Sequence, residues 1–464
     1  MKEKTSLIIL GIACTSFFII HLPFLTALPY LDGNIDFVQT HDFYTGGFSR
    51  YFANWTSVHP PLKIMLASVF YTIFGFSVFA YNLLGLLMGL LGLWGMHWLA
   101  KNYGLKTAVW AVIFLATSPL FIATSLFSLT DFMLTVWVLI ALGFYSREKI
   151  FSTTLFTVLA VLTKETALLL PFTLIITELF FPLLHHKRLT NTFKNILILL
   201  LPFVFYTGWS LFLHWSGKGG WSDWIFAETA AKGSFYTIFY NLFTFGFLNQ
   251  YAYQNWAQLL FVNSNWVYLL VCTLVSLVIF FTNNNNVILT TSQKKTLICL
   301  FFFIVGYVFT VLSFQTYTII RYGLPVVVIL YFLTAVTLGK FAYQKVVFIL
   351  GILLVVVNLF SQFRSVDRVA LAKWGTIRVL GQRFYNLPAH LAGNDGITYN
   401  FAYWRMVYKR SQAVYQADKE GLSVRGDCYW LFRDPKNDYK TLKNLNLRIP
   451  LDNPCLLIFR GKFL

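Results

Sequence analysis

The sequence predicts an all-α polytopic membrane protein of about eleven spans, possessing helices at the outer interface and followed by a small α/β domain. Three observations carry this. Of 464 residues, 57% are hydrophobic and only 12% charged, whereas soluble domains run near 45–50% apolar and about 25% charged. The apolar runs are far longer than the roughly ten-residue strands of an outer-membrane barrel. The polar joints between those runs alternate in length and charge. A soluble enzyme, a disordered chain and a disulfide scaffold are thereby excluded. The aromatic content of 19% suits lipid-facing surfaces and interfacial belts.

In chain order, the expected spans are 6–29, 78–100, 107–125, 131–146, 150–163, 166–184, 195–214, 261–282, 296–314, 323–339 and 346–361. The first is an anchor, not a cleaved leader: its apolar run exceeds a signal-peptide core and no small-x-small site follows it. Two further apolar stretches, 62–77 and 234–247, are expected as helices lying at the interface. Were both to cross, the count would rise by two without moving either terminus. Gly85, Gly89, Gly92 and Gly95 form a small-residue stripe of the kind that lets helices pack closely.

Charge placement orients the chain. Lys2/Lys4, Lys101/Lys106, Arg147/Lys149, Lys187/Arg188/Lys194, Lys294/Lys295 and Lys340/Lys345 fall on one side, which the positive-inside rule makes the cytoplasm, with the N-terminus. The other side holds two long loops, about 30–77 and 215–260, and most of the acids before residue 362: Asp32, Asp36, Asp42, Asp131, Glu165, Asp223 and Glu228. The expected setting is a plasma (inner) membrane, with the chemistry outside. Residues 1–361 form the membrane domain, and 362–464 form an extracytoplasmic one that alone carries half of the net charge of +18. Short β-like runs at 396–403, 428–432 and 455–459 suggest its α/β character. Cys428 and Cys455, the two cysteines of the tail, are a disulfide pair if that compartment is oxidising.

Ionisable residues at membrane depth are costly and mark function by default. Several sit at outer helix ends: His41-Asp42-Phe43-Tyr44, His59-Pro60-Pro61-Leu62-Lys63, Thr130-Asp131, Lys164-Glu165 and Arg321-Tyr322-Gly323-Leu324-Pro325, with Glu228 and Lys232 in the second loop. Each also has a plain reading. Asp131 would cap its helix, Glu228 and Lys232 would be an ordinary i, i+4 pair, Arg321 would snorkel to headgroups, and Lys164-Glu165 would be a short turn. Neither a G-x-G-x-x-G turn nor a phosphate-binding P-loop occurs, so no nucleotide or nucleic-acid partner is signalled.

In their order along the chain, these motifs resemble those of GT-C type membrane glycosyltransferases, in the branch of protein O-mannosyltransferases and bacterial aminoarabinose transferases. The resemblance covers about residues 1–340 and includes Phe74-Gly75-Phe76-Ser77 and Leu162-Thr163-Lys164-Glu165-Thr166 with Pro171. It implies a polyprenyl-phosphate sugar donor used on the outer leaflet, with inversion, and a lipid, glycan or protein acceptor. Asp42 matches the proposed catalytic base. His59, Lys164, Lys232 and Arg321 match positions about the donor phosphate, and Asp131, Glu165, Tyr44 and Tyr322 line the site. Some relatives carry Lys where His59 stands. No cofactor is required, and a divalent metal at Asp42 and Asp131 stays open. A transporter or flippase, or a lipid-linked glycan polymerase or ligase, are the other readings. Transporters, however, place their charges near the bilayer midplane, often within internal repeats, and no repeat is visible here.

Overall fold

The computed structural model describes residues 3–26, 32–53, 59–126, 128–184, 190–216, 267–274, 289–309, 320–341 and 345–363, and the paired strands β1 (Arg378–Val379) and β2 (Gln382–Arg383). The helices are α1 (Glu3–His21), α2 (Asp32–Ala53), α3 (Leu62–Phe74), α4 (Val78–Lys101), α5 (Leu105–Thr117), α6 (Pro119–Leu126), α7 (Thr130–Tyr145) and α8 (Ile150–Thr163). They continue with α9 (Leu169–Leu184), α10 (Thr190–Leu199), α11 (Leu201–Trp215), α12 (Thr291–Tyr307), α13 (Leu324–Phe341) and α14 (Lys345–Phe363). Residues 267–274 are also helical. Where the predicted spans are described they are helical, apart from Leu25, Thr26, Ser118, Ser146 and Leu200. Lys232, Glu228, Cys428, Cys455, the loop 215–260 and nearly all of the C-terminal region lie outside the described residues.

Local chemistry sets the helix starts. Pro61 precedes α3, Pro119 opens α6, and Pro202 and Pro325 stand in the first turns of α11 and α13, where a missing N–H costs no helical bond. Ser77 caps α4 by accepting from the Ala80 N–H at 3.2 Å. Thr290 and Gln293 form a reciprocal capping box on α12.

The core is built on α7, buried along nearly its whole length, which packs against α8 and α4. The glycine stripe of α4 makes this packing close. A Cβ at Gly92 would lie 2.9 Å from the Phe121 ring, and one at Gly95 would lie 3.2 Å from Ile140. Outward faces stay apolar, as at Leu7, Ile8 and Ile12 of α1 and Ile349, Leu353 and Val356 of α14. Such faces suit contact with lipid.

Among the described residues, five helical stretches are each long and apolar enough to cross a membrane: Glu3–Phe24, Val78–Lys101, Glu165–Pro182, Thr192–Trp215 and Arg321–Lys340. The bent pair α5–α6 makes a sixth. The expected continuous span 107–125 is in fact broken at Ser118, with a 58° bend, because Pro119 cannot continue the hydrogen-bond ladder. The carbonyls near the break find other donors. Asn358 Nδ2 reaches Phe114 O at 3.2 Å, and Gln362 Nε2 reaches Thr117 O at 3.0 Å.

The basic joints gather at one end of the bundle. Lys101 Nζ meets Glu3 at 2.5 Å, Asn102 and Ser292 both donate to Ser146 O at 2.8 Å, and Tyr103 donates to Gln293 O at 3.1 Å. Gly339 abuts Thr107. The opposite end holds Asp131, Lys164 and Arg321. There the first long loop departs from expectation: it folds into two helices, α2 and α3, and not only the one at 62–77. The region carrying Asp36 and Asp42 is polar and glycine-containing, with a kink at Gly47 (φ 59°), so its helix gave no apolar run to read.

Candidate active site

α7 and α8 are short, 16 and 14 residues, or roughly 24 Å and 21 Å of rise. They share the tight turn at Ser146–Lys149, so their other ends stop short of the roughly 30 Å of a hydrocarbon core. Asp131 sits in the first turn of α7 and Lys164 just beyond α8. The short helices therefore set both charges within the bundle, toward the end opposite the basic joints.

There Lys164 Nζ donates to Asp131 Oδ1 at 2.7 Å, and Arg321 Nε lies 3.5 Å from Asp131 Oδ2. All three side chains are buried, at 1–2% exposure. The Tyr322 ring completes the group, with Lys164 Nζ at 3.9 Å from its centroid and Arg321 Cζ at 5.4 Å; such faces attract cations. Burial alone would lower the Lys164 pKa. The charges of Asp131, Tyr322 and Glu165 outweigh it, so the ammonium is held above the usual lysine value. Two cations thus share one carboxylate, and removing a member of a buried ion group costs about 3–5 kcal/mol.

The next residue joins this group to the Pro-Pro motif: His59 Nδ1 donates to Glu165 Oε2 at 2.9 Å. Asp131, Lys164, Glu165, His59, Arg321 and Tyr322, spread over 264 positions of sequence, are therefore brought together. Two plain readings fall here. Asp131 is no helix cap, since its carboxylate faces the two cations and Leu129 holds the cap position without a side-chain bond. Arg321 does not snorkel, being 2% exposed.

Asp42 stands on α2 in a different setting. Its carboxylate is held by Arg50 of the same helix, Nε to Oδ1 at 3.1 Å. Tyr44 is exposed, with its ring edge-on to Tyr71 at 5.9 Å. α2 is anchored at both ends by aromatic contacts: Phe37 meets Tyr81 of α4 at 5.6 Å, and Phe52 meets Phe212 of α11 at 5.3 Å. Below Phe52 lies an apolar groove of about 410 Å³, lined by Leu162, Val204, Phe205, Gly208, Trp209 and Phe212.

Sequence reasoning missed several participants. Lys63, read only as part of a motif, is 1% exposed, ion-paired with Asp36 and 5.5 Å from the Tyr81 ring centroid. Arg50 was not singled out. Tyr307 at the end of α12 has Asp131, Thr166, Glu165 and Tyr322 as its polar neighbours. No pattern at short range marks these residues; only the fold pairs them. As to metal, among the described residues no three His, Cys, Asp or Glu side chains gather. Both oxygens of Asp131 face cations, and that donor set does not fit a divalent ion.

Comparison with known proteins bears on the same region. Residues 58–209 match the family model described as dolichyl-phosphate-mannose-protein mannosyltransferase, a stretch that contains His59, Asp131, Lys164 and Glu165. No curated protein sequence matches. Among solved structures, the chain is similar to ArnT from Cupriavidus metallidurans bound to undecaprenyl phosphate, at TM-score 0.54 and 13% identity, over 99% of this chain and 77% of that one. The apo state of the same enzyme gives TM-score 0.51 at the same identity and coverage. This is accordingly a multi-pass, helical membrane protein with the ArnT fold, and within it residues 58–209 are similar to the family described as dolichyl-phosphate-mannose-protein mannosyltransferase.

Proposed function

We propose that the protein is a membrane glycosyltransferase that moves a sugar from a polyprenyl-phosphate donor to an acceptor hydroxyl on the outer face of a plasma membrane, with inversion. One observation carries the reading: Lys164 and Arg321 converge on the single carboxylate of Asp131, at the end of the bundle away from the basic joints. The family-model match and the ArnT fold agree with it.

In this mechanism the bond between the anomeric carbon and the phosphate oxygen breaks as the acceptor oxygen attacks. Negative charge grows on the departing lipid phosphate, and fixed cations stabilise it more in the transition state than in the ground state. Lys164 and Arg321 supply those cations, with His59 at the rim through Glu165 and Lys232 as a further contributor from the second loop. Asp42 takes the acceptor proton as general base. It leaves Arg50 to do so, an exposed partner whose hold on it is weak. The apolar groove beside Leu162 receives the isoprenoid chain. No step requires a metal at Asp42 or Asp131. The eleven predicted segments build the membrane domain, with α7 and α8 ending inside it, the N-terminus is cytoplasmic, and residues 362–464 form an outer domain, where Cys428 and Cys455 pair.

The test is sugar transfer by the full chain in lipid nanodiscs, offered a panel of polyprenyl-phosphate sugars, together with mass spectrometry of envelope lipids, glycans and proteins from cells with and without the chain. Transfer from one such donor, matched by a sugar missing from the envelope, is the expected result. Transfer only from a nucleotide sugar would overturn the reading. Membrane-impermeant labelling of single cysteines placed in 215–260 checks orientation: reaction in intact cells is expected, and reaction only after lysis would reverse the topology.

A further inference from the structure

The C-terminal end of α12 and the turn ahead of α9 carry two buried hydroxyls that the mechanism above does not use. Tyr307 is 0% exposed; its Oη and the Thr166 Oγ1 face each other, and neither has a well-formed hydrogen bond to any other described residue. They are close to each other and to the charged group, since Thr166, Asp131, Glu165 and Tyr322 are the polar neighbours of Tyr307. The approach is built in. Gly306 lets α12 close onto the start of α9, where an added Cβ would come within 3.0 Å of Leu169. The Tyr307 ring is backed by Phe303 at 5.4 Å.

Unpaired hydroxyls in a dry interior are costly, and native structures rarely keep them without a reason. Two hydroxyls that face each other satisfy one proton at most, so the pair still calls for an acceptor. The acceptor must tolerate Lys164 and Arg321 at close range, which favours an anion over a neutral carbonyl or sugar hydroxyl. We propose that Tyr307 and Thr166 complete the anion site, each donating its O–H to an oxygen of the lipid phosphate held by Lys164 and Arg321. This rests on the lipid-phosphate reading above and adds two neutral donors to its cations. Bonds to a charged oxygen in a water-poor site are stronger than those to a neutral one, so these donors hold the bound donor phosphate and the leaving group alike.

The experiment measures binding of undecaprenyl phosphate to full-length protein in nanodiscs, for the wild type, Tyr307→Phe, Thr166→Val and Lys164→Ala. Both hydroxyl variants preserve shape, and each removes an unsatisfied group, so the ligand-free melting temperature should stay level or rise. Affinity should fall about tenfold in each. The two losses should be less than multiplicative in the double variant if both hydroxyls serve one phosphate. Wild-type binding that Lys164→Ala loses but Tyr307→Phe and Thr166→Val both keep would overturn this inference alone, leaving the hydroxyls to a trapped water. Absence of binding by the wild type itself, or equal binding by Lys164→Ala, would overturn the lipid-phosphate reading and this inference with it.

Discussion

The same helices carry two buried carboxylates, one near each end, in opposite circumstances. At the basic end, Glu178 of α9 accepts from Tyr145 Oη at 3.0 Å, from Asn195 Nδ2 at 3.1 Å and from Lys295 Nζ at 2.5 Å. There is one cation for one anion, and both carboxylate oxygens are engaged. At the opposite end, Asp131 of α7 faces two cations, with the Tyr307 and Thr166 hydroxyls alongside. The first group is closed and ties α7, α9, α10 and α12 together. The second sets two cations against one carboxylate, so charge within it is not balanced one to one. The two carboxylates are equally buried, so burial is not what separates a clamp from a binding site. Charge balance separates them.

This contrast can be broken or sharpened by substitution. The largest effect belongs to the residue outside both groups: Asp42→Asn should lower turnover by at least about a hundredfold, with melting temperature and membrane insertion preserved. Near-normal turnover in the purified variant would remove Asp42 from the role of base. Next, Lys164→Ala and Arg321→Ala should each weaken donor use by roughly ten- to a hundredfold in kcat/KM, read from donor titrations of single-turnover rates. A loss of folding without any change in donor dependence would make the outer group a second clamp. Glu178→Ala should do the reverse, losing about 3 kcal/mol of stability in a denaturation series on reconstituted protein while the folded fraction keeps its donor KM. The smallest effect is that of a chelator. Turnover after dialysis against EDTA should stay within about twofold of the untreated rate, since Lys164 and Arg321 hold the place a divalent ion would otherwise take on the phosphate. Restoration of a lost activity by one added metal would contradict that.

Much of this architecture was legible in the sequence because it rests on short-range signals. Apolar runs and basic joints located the helices and put Lys101, Arg147, Lys294 and Lys340 at one end, where the fold gathers their joints. The stripe from Gly85 to Gly95 read as packing and is packing. Asp131, Lys164 and Arg321 were identifiable as a set because charge is scarce within apolar sequence. Other features had no local signature. Asp36 and Lys63 pair across two helices of the first loop, one of which, α2, is polar, with two adjacent glycines and a kink. Tyr307 is one of 25 tyrosines, and nothing around it separates it from a core residue until α12 is seen closing on α9. The break at Pro119 was audible as a proline, but the donors that make it tolerable, Asn358 and Gln362, come from the other end of the described chain.

The central claim is that the outer cation group binds the donor phosphate while the inner group only holds the helices. Its most direct test is the donor dependence of sugar transfer in three reconstituted proteins: wild type, Lys164→Ala and Glu178→Ala. The account predicts a donor KM raised at least about tenfold in Lys164→Ala and unchanged in Glu178→Ala, per folded molecule. Equal donor KM in wild type and Lys164→Ala would contradict it.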